Sequence, residues 1–244
     1  MQSLNKALHL LHFFTADHPR WGVRALARAC QQSPSVVQRS LASFVANGLM
    51  LRDQNGQYQL SLSCYRLGQL AQATHVQQHT APSAMASLAA QSGETAFLCL
   101  LDGQRGICVQ TAPSPHALRF SIRSGEHFSL LAGAHAKAIL AFQPQALRLQ
   151  LYRQAARTDI TALENEMADI RQRGWSQTCA EAAADISGLA VPLHAAGSTD
   201  EVVGSLALAG PSARLAQKDQ ARLLACLHDT RHAIAAIPPD TATP

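Results

Sequence analysis

The stretch SPSVVQRSLASFVANG, from Ser33 to Gly48, decides the fold of the amino-terminal part of this chain. Its apolar side chains recur at the three- and four-residue spacing of one helix face: Val37, Leu41, Phe44 and Val45. The opposite face carries serines and a glutamine around a single charge, Arg39. A face that is merely solvated usually carries many long charged side chains. We therefore predict that this face lies close against another molecule.

Both ends of this helix carry sequence signals. Ser33 is a favourable N-cap, and Pro34 stands at the first helical position, where no backbone N–H is needed. Asn47-Gly48 predicts the C-terminal end, because glycine readily adopts the left-handed conformation found there.

Two shorter apolar stripes precede this helix, and a hairpin signal follows it. The first stripe is predicted to end at His18-Pro19. Asn55-Gly56 separates two strand-like arms and predicts a two-residue type I′ turn. Three helices and a hairpin in this order describe a winged helix-turn-helix. The two stripes consist of Leu4, Ala7, Leu8, Leu10, Leu11 and Phe14, and of Val23, Leu26, Ala27 and Cys30.

The positive charge of the chain is concentrated in the same region. Up to residue 63, six basic residues stand against two acidic ones, which accounts for the whole net charge of +4. A basic small domain on a neutral larger one favours binding to a polyanion, and short polar side chains suit entry into the major groove. A structural or protein-interaction module is the alternative. The candidate DNA-binding residues are Arg24, Ser35, Gln38, Arg39, Ser43 and Arg52.

Composition excludes several other classes of protein. With 244 residues, 47% hydrophobic and 15% charged, the chain is globular, and no apolar run approaches the roughly 20 residues of a membrane span. We find no signal peptide, and six scattered cysteines fit buried thiols in a reducing cytoplasm. His75/His79 and His228/His232 have i,i+4 spacing but no third ligand nearby, so no metal site or cofactor is predicted.

The larger part of the chain predicts a sheet with helices, an α+β domain. Two apolar strands flank Asp102-Gly103, and another strand is expected over Leu118–Ile122. Helices are predicted at 64–80, 83–91, 132–143, 161–175 and about 214–235, and strands at 187–195 and 201–211. The charges Glu164, Asp169, Arg171 and Arg173 are interpreted as one solvated helix face.

Over nearly its whole length the chain resembles the IclR family of bacterial transcription regulators. The third helix of that family commonly reads Ser-Thr-Val-His-Arg-Leu-Leu, which Ser35 to Leu41 match with Gln38 in the place of histidine. Tyr58, Leu60, Leu67 and Gly68 fit the family's wing and next helix, and "AKAILA" stands where most members have Gly-Lys-Ala. Lys137 in that segment is interpreted as structural rather than catalytic.

The resemblance implies a domain plan and a set of partners. Residues 1–63 would form the DNA-binding domain, 64–81 a linking helix that pairs subunits, 82–237 a GAF-like effector-binding domain and 238–244 a frayed tail. Packing of the linking helix on its own domain is the alternative for that segment. The expected partners are a pseudo-palindromic DNA operator, a small-molecule effector and further copies of the chain in a dimer or tetramer.

The resemblance also places an effector pocket. Its lining would be Ala117, Phe120, Ala134, His135, Thr178, Gly188, Ala207 and Ala209. Members that bind small oxo-acids have polar groups where this chain has threonine, glycine and two alanines, so we expect a larger and more apolar pocket, suited to an aromatic or longer acid. A packed core without a ligand is the alternative reading.

Three functions compete at this stage. The first is a ligand-responsive transcription regulator, and the second is an enzyme with a DNA-binding appendage. No nucleophile elbow, phosphate-binding loop or metal triad supports an enzyme, and Glu94, Glu181 and Asp185 have no evident partner. The third, an interaction module, is disfavoured by the basic amino-terminal quarter. The sequence therefore favours the regulator.

Overall fold

The computed structural model describes residues 2–75 and 81–234. The chain divides into an amino-terminal unit, residues 1–71, and a carboxy-terminal unit, residues 72–244. Across the described part of the chain, no helix is long and apolar enough to cross a bilayer.

The amino-terminal unit is a helix-turn-helix with a small antiparallel sheet whose strand order is β1-β3-β2. Its elements are α1 (Gln2–His9), a 3-10 turn (Leu10–Phe13), β1 (Trp21–Gly22), α2 (Val23–Ala29), α3 (Pro34–Ala46), β2 (Met50–Arg52) and β3 (Gln57–Leu60). Helix α4 (Leu62–His75) begins in this unit and ends just past its last residue. Strand β1 has no counterpart among the sequence predictions. It is only two residues long, too short to show alternation, and it pairs Trp21 with Tyr58.

Helix α3 begins and ends where the sequence predicts. The backbone of Ser33 is extended, as an N-cap requires, but its hydroxyl makes no capping bond and lies 3.2 Å from Ser35 Oγ. At the other end Gly48 adopts a φ of +72°, and Leu49 N donates back to Phe44 O at 2.9 Å. This reverse bond satisfies a carbonyl that the helix leaves without a partner.

The first helix is shorter than predicted. It ends at His9, and a turn in which Thr15 N donates to His18 O at 3.2 Å stops the chain from continuing as a helix to His18-Pro19. The stripe is also less buried than expected. Leu10 is fully buried, whereas Leu4 and Leu8 remain 61% and 45% exposed.

The predicted type I′ turn of the wing is wrong. Asn55 keeps a negative φ while Gly56 alone is left-handed at +75°, so the loop is a type I turn followed by a glycine. The reason is Asp53, whose Oδ1 accepts from the backbone N–H groups of both Asn55 and Gln57 at 2.9 Å. This side chain stabilises the wider loop.

The carboxy-terminal unit is an α+β domain, as predicted. One antiparallel sheet has the strand order β6-β5-β4-β9-β8-β7. Its strands are β4 (Thr95–Asp102), β5 (Arg105–Ala112), β6 (His127–Ser129), β7 (Ser176–Cys179), β8 (Ile186–His194) and β9 (Val202–Pro211). Its helices are α5 (Ala81–Ser92), α6 (Ala134–Leu140), α7 (Gln145–Gln154), α8 (Ile160–Arg173), α9 (Ser212–Leu215) and α10 (Gln220–Ala233).

Helices cover both faces of this sheet. Along the central strands, side chains such as Leu98 and Leu208 pack on one face with α5 and α10. Their neighbours Phe97 and Ala207 pack on the other face with α6 and α8. Strands buried on both faces read as continuous apolar runs, as these do.

Several elements of this unit differ from expectation. No strand forms over Leu118–Ile122, because backbone carbonyls of that segment accept side-chain donors: Thr95 Oγ1 donates to Phe120 O at 2.7 Å and Arg214 Nη1 to Leu118 O at 2.9 Å. The last predicted helix is split into α9 and α10, and Asp219 caps the second part through Ala221 N at 3.0 Å. Helix α7 and strands β6 and β7 were not predicted.

Several expectations extend to residues outside the described part of the chain. They are the frayed tail at 238–244, the pairing of His75 with His79, and the last residues of the helices predicted at 64–80 and about 214–235.

Candidate DNA-binding face and effector cavity

The outer face of α3 is exposed and small. Ser35, Gln38, Arg39 and Ser43 all lie on it, while Val37 and Leu41 on the opposite side are fully buried. The Ser43 hydroxyl donates to Arg39 O at 3.1 Å, which leaves its lone pairs available as acceptors. The face therefore offers both donors and acceptors at short range from the helix backbone.

The guanidinium of Arg39 makes no ion pair or hydrogen bond with any described residue, and neither does that of Arg24, which is exposed on α2. Arg52 lies at the end of β2, with its guanidinium 5.8 Å from the ring centroid of Tyr58. The structure thus brings four of the six candidate DNA-binding residues together on α3 and places one on α2 and one on the wing. All three arginines can meet an external anion.

The turn between α2 and α3 lacks a glycine, but one of its residues has the backbone conformation that a glycine would adopt there. Gln31 adopts a φ of +55°, in the left-handed region that glycine populates most easily. Its N–H donates to Arg28 O at 3.3 Å. The reorientation between the two helices is therefore achieved by a non-glycine residue whose backbone is held in a strained conformation.

One cavity beside α6 gathers seven of the eight candidate effector-binding residues. They are Phe120, Ala134, His135, Thr178, Gly188, Ala207 and Ala209. Ala117 does not line this cavity, because it lies exposed in the 115–118 bend, outside the sheet. Since β8 and β9 are neighbours in the sheet, Gly188 stands opposite Ala209, and the register itself brings these positions together.

Six residues that line the cavity were not predicted from the sequence. The further lining residues are Phe97, Gly133, Ala182, Ile186, Ser187 and Leu208. Phe97 pairs with Ala207 in the register of β4 and β9. Alternation along β4 would have indicated its side, but only the pairing shows which residue it faces.

The cavity is smaller than expected. Its volume is about 20 Å³, little more than the space that one water needs. The rings of Phe97, Phe120 and His135 fill the space that the alanines leave open, with centroids 5.6 Å apart for Phe97 and Phe120. The lining is largely apolar, and a ring-sized ligand requires these side chains to move.

His135 is the largest polar side chain in the wall. It is 8% exposed and packs edge-on against Phe97 and Phe128, with ring centroids 5.2 Å and 4.3 Å away. Burial lowers its pKa to about 4, because the charged imidazolium is poorly solvated among these rings. The free protein therefore holds a neutral imidazole here at pH 7.

A buried charge cluster lies next to the cavity. The ammonium of Lys137 contacts Glu166 at 2.7 Å and Glu181 at 2.5 Å, and its side chain is 7% exposed. Glu181 also accepts from Gly133 N at 3.2 Å, and its neighbour Ala182 lines the cavity. The expectation that Glu181 has no partner is wrong, since the partner is 44 positions away along the chain.

A second cluster centres on Glu94. This carboxylate is fully buried and binds Arg214 through two contacts, at 2.7 Å and 2.5 Å, and Lys218 at 3.0 Å. Burial acts to raise the pKa of Glu94, but the bonds from the two cations outweigh it and the pKa is lowered. Glu94 too was expected to be unpaired, and it is instead the most buried carboxylate of the three considered.

The solvated face predicted on α8 is also partly wrong. Glu164 forms two bonds to the buried guanidinium of Arg148, at 2.9 Å and 2.6 Å. Arg171 donates to Ala141 O at 2.6 Å. These charges attach α8 to α7 and to the end of α6.

Cysteine and histidine placement adds no further site. All six thiols are free, with Cys99 and Cys108 buried and Cys179 exposed. His228 and His232 share α10. Within residues 2–75 and 81–234, no group of three or more His, Cys, Asp or Glu side chains is placed to hold a metal ion.

A winged helix-turn-helix and an α+β domain with an internal cavity define a class of DNA-binding regulators that respond to small molecules. Family comparison narrows this class. The family described as "Bacterial transcriptional regulator IclR C-terminal" matches residues 69–236, and "IclR helix-turn-helix domain" matches residues 3–54. The chain belongs to the IclR family, and it is an IclR-type transcription regulator with a helix-turn-helix and a carboxy-terminal effector domain.

Individual relatives and solved structures are similar to this chain in sequence or in fold. The chain is 28% identical over 222 residues to the glycerol operon regulatory protein of Streptomyces griseus, covering 88% of this chain and 87% of that protein. A putative IclR regulator from Silicibacter sp. shares the fold with a TM-score of 0.81 at 24% identity, over 99% of this chain and 100% of that one. An IclR homologue of Microbacterium hydrocarbonoxydans, solved with 4-hydroxybenzoate, has a TM-score of 0.77 at 16% identity, covering 95% and 96%.

Proposed function

We propose that this regulator senses an acid with an apolar or aromatic body, which binds in the cavity beside α6 and changes how the protein binds DNA. The observation that carries the proposal is the meeting of seven candidate residues, from five separate segments, in one apolar wall. Burying an aromatic body there contributes roughly 25 cal/mol per Å² of apolar area, so few polar contacts are needed. A compact oxo-acid gains little of this energy.

The polar groups of the wall support an acid. Thr178 and His135 make no side-chain hydrogen bond to any described residue, whereas the Ser187 hydroxyl is engaged 2.9 Å from Ser212 Oγ. Two available polar side chains at an apolar wall suit one polar end of a ligand. The bound 4-hydroxybenzoate of the Microbacterium homologue is an acid of this kind.

A thermal-shift screen tests the ligand class. Aromatic or longer-chain acids are expected to raise the melting temperature, and glyoxylate and pyruvate are not. Ala207→Phe adds a ring larger than the cavity of about 20 Å³ and is expected to abolish the shift while DNA binding persists. Ala207→Val is the milder companion variant, expected to weaken the shift. A clear preference for the two small oxo-acids would show the ligand class to be wrong.

We further propose that the exposed arginines of the amino-terminal unit bind a pseudo-palindromic operator and that two copies of the chain act together. A single amino-terminal unit buries too little surface on DNA for tight sequence-specific binding. Apolar side chains exposed on α1 and α4 support self-association: Leu4, Leu8, Leu62, Tyr65 and Leu67. Light scattering is expected to show a dimer or tetramer, and a stable monomer both free and on DNA would contradict this.

The chain is proposed to carry out no catalysis and to work in the cytoplasm, where its DNA lies. The lysine nearest the cavity supports the first point, since an ammonium held by both Glu166 and Glu181 is a poor nucleophile. A turnover screen with candidate acids is expected to show no product.

A further inference from the structure

The cavity beside α6 contains a buried polar group without a partner. His135 is more than nine-tenths buried, lines the cavity, and makes no hydrogen bond through its ring to any described residue. It is therefore placed to accept or donate a hydrogen bond when a ligand enters.

The wall around His135 carries no charge. Its other members are apolar side chains, two hydroxyls and two glycines. The Gly133 N–H, at the start of α6, is already taken by Glu181. An ionised acid that entered this wall would find no cation to compensate it.

Several charged and titratable groups lie on the surrounding elements, and most of the charged ones are paired with one another. On α6, α8 and the 180–185 loop, Lys137 is held by Glu166 and Glu181. Just before β4, Glu94 is held by Arg214 and Lys218, and at the last position of β4, Asp102 lies 2.9 Å from His127 of β6. Arg119, next to Phe120, is exposed and donates to His116 O at 3.3 Å, and the thiols nearby are those of Cys99, Cys108 and Cys179.

None of these groups perturbs the imidazole. Burial is the sole cause of the low pKa of His135, so that no neighbouring charge sets its protonation state in the free protein. His135 is neutral from about pH 5 upward, and protonating it becomes favourable only when an anion lies beside it.

We propose that an acid binds in this cavity together with one proton, which His135 takes up to form a buried imidazolium–carboxylate pair. The inference rests on the proposed function, and it adds a residue that selects acids and a dependence on pH. The proton and the charges are accounted for as follows. A carboxylate and a proton leave water, the proton joins an imidazole nitrogen, and no other bond forms or breaks.

The pH dependence follows from linkage. Above about pH 5.5 a carboxylic acid with a pKa near 4.3 is ionised in water and free His135 is neutral, so each ligand draws one proton from solution. The dissociation constant is then expected to rise about tenfold for each pH unit up to the pKa of His135 in the complex. A site that held the acid through arginine or lysine would show a flat profile over this range.

Calorimetric titration of the full-length protein tests the proposal. The probe is 4-hydroxybenzoate, measured at pH 5.5, 6.5 and 7.5 in two buffers with different ionisation enthalpies. About one proton taken up per ligand, and a tenfold loss of affinity per pH unit, are expected. The neutral analogue 4-hydroxybenzamide serves as control and is expected to bind without proton uptake and with a flat profile.

His135→Gln provides the matched variant, because glutamine keeps a polar side chain but cannot take up the proton. It is expected to weaken 4-hydroxybenzoate at least tenfold at pH 6.5 and to change the amide's affinity less than threefold. The wild-type proton count does not depend on how this variant folds.

The outcomes separate two failures. Binding of the acid with no proton uptake, or proton uptake that persists in His135→Gln, overturns the role of His135 while leaving the proposed function in place. Binding of neither the acid nor the amide at pH 5.5 overturns the proposed ligand class, and this inference with it.

Discussion

The two units of this protein use charge in opposite ways. In the amino-terminal unit, Arg24 and Arg39 are exposed and make no ion pair with a described residue. In the carboxy-terminal unit, Lys137 and Glu94 are buried and each contacts two partners of opposite charge. An exposed cation without a partner is available to another molecule, whereas a buried, paired one acts within the fold. The difference distinguishes charges that are open to another molecule from charges that hold elements of the fold together.

The largest expected effect comes from breaking the Glu94 cluster. Glu94→Ala leaves Arg214 and Lys218 partly buried without their partner, which typically costs about 3–5 kcal/mol of unfolding free energy. Chemical denaturation of the carboxy-terminal unit measures this. Glu201→Ala removes an exposed carboxylate and is expected to change stability by less than about 0.5 kcal/mol.

The stabilising role of Glu94 also predicts how stability depends on pH. The pKa of Glu94 is lowered below its ordinary value of 4.5, so its stabilisation is fully present above that pH and is lost as pH falls through the lower folded value. Thermal unfolding between pH 6 and pH 3 is expected to show this loss in the wild type and a shallower one in Glu94→Gln. Parallel curves for the two proteins would rule the cluster out as a source of acid sensitivity.

Removal of Arg39 tests the other half of the comparison. Arg39→Ala is expected to weaken operator binding by about 1–3 kcal/mol if the guanidinium reads a base. If it meets only phosphate, the loss is the same for every duplex and the salt dependence becomes shallower. Arg222→Ala, an exposed arginine on α10, is the control. Unchanged binding to all duplexes, with the fold intact by circular dichroism, would remove α3 from the DNA interface.

A smaller effect is expected where a buried cation keeps one partner. Glu181→Gln leaves Lys137 bound to Glu166, and the Glu181 side chain is already 31% exposed, so we expect a loss of about 1–2 kcal/mol. Chemical denaturation of Glu181→Gln and Glu94→Ala side by side shows which variant loses more unfolding free energy. A loss as large as that of Glu94→Ala would mean that the two clusters do not differ through burial.

The smallest expected effect concerns the backbone of the amino-terminal unit. Gln31→Gly places a residue suited to positive φ in the turn before α3 and is expected to stabilise that unit by about 0.5–1 kcal/mol. Chemical denaturation, followed through the unfolding transition of the amino-terminal unit, measures this change in stability. Operator affinity is the check that α3 has kept its orientation. Destabilisation instead would show that the Gln31 side chain contributes more than its backbone costs.

Local patterns made much of the fold predictable. The bounds of α3, the hairpin at Asp102-Gly103 and strands β8 and β9 follow from periodicities of three to four or two residues and from turn residues. The turn of the wing was not predicted correctly, because Asp53 binds two N–H groups ahead of it and favours a wider loop. A side chain can thus outweigh a dipeptide preference even within a few residues.

The sequence by itself determined the helix-turn-helix, the location of positive charge and seven of the residues that line the cavity beside α6, because each depends on neighbours in the chain or on resemblance at matched positions. Only the tertiary structure decided which charges are paired, since Glu94 and Arg214 are 120 positions apart and meet only when α9 packs against the sheet. It also decided the volume of the cavity. Small residues at Gly188, Ala207 and Ala209 predict space, but the rings that fill it come from β4, the 115–125 segment and α6.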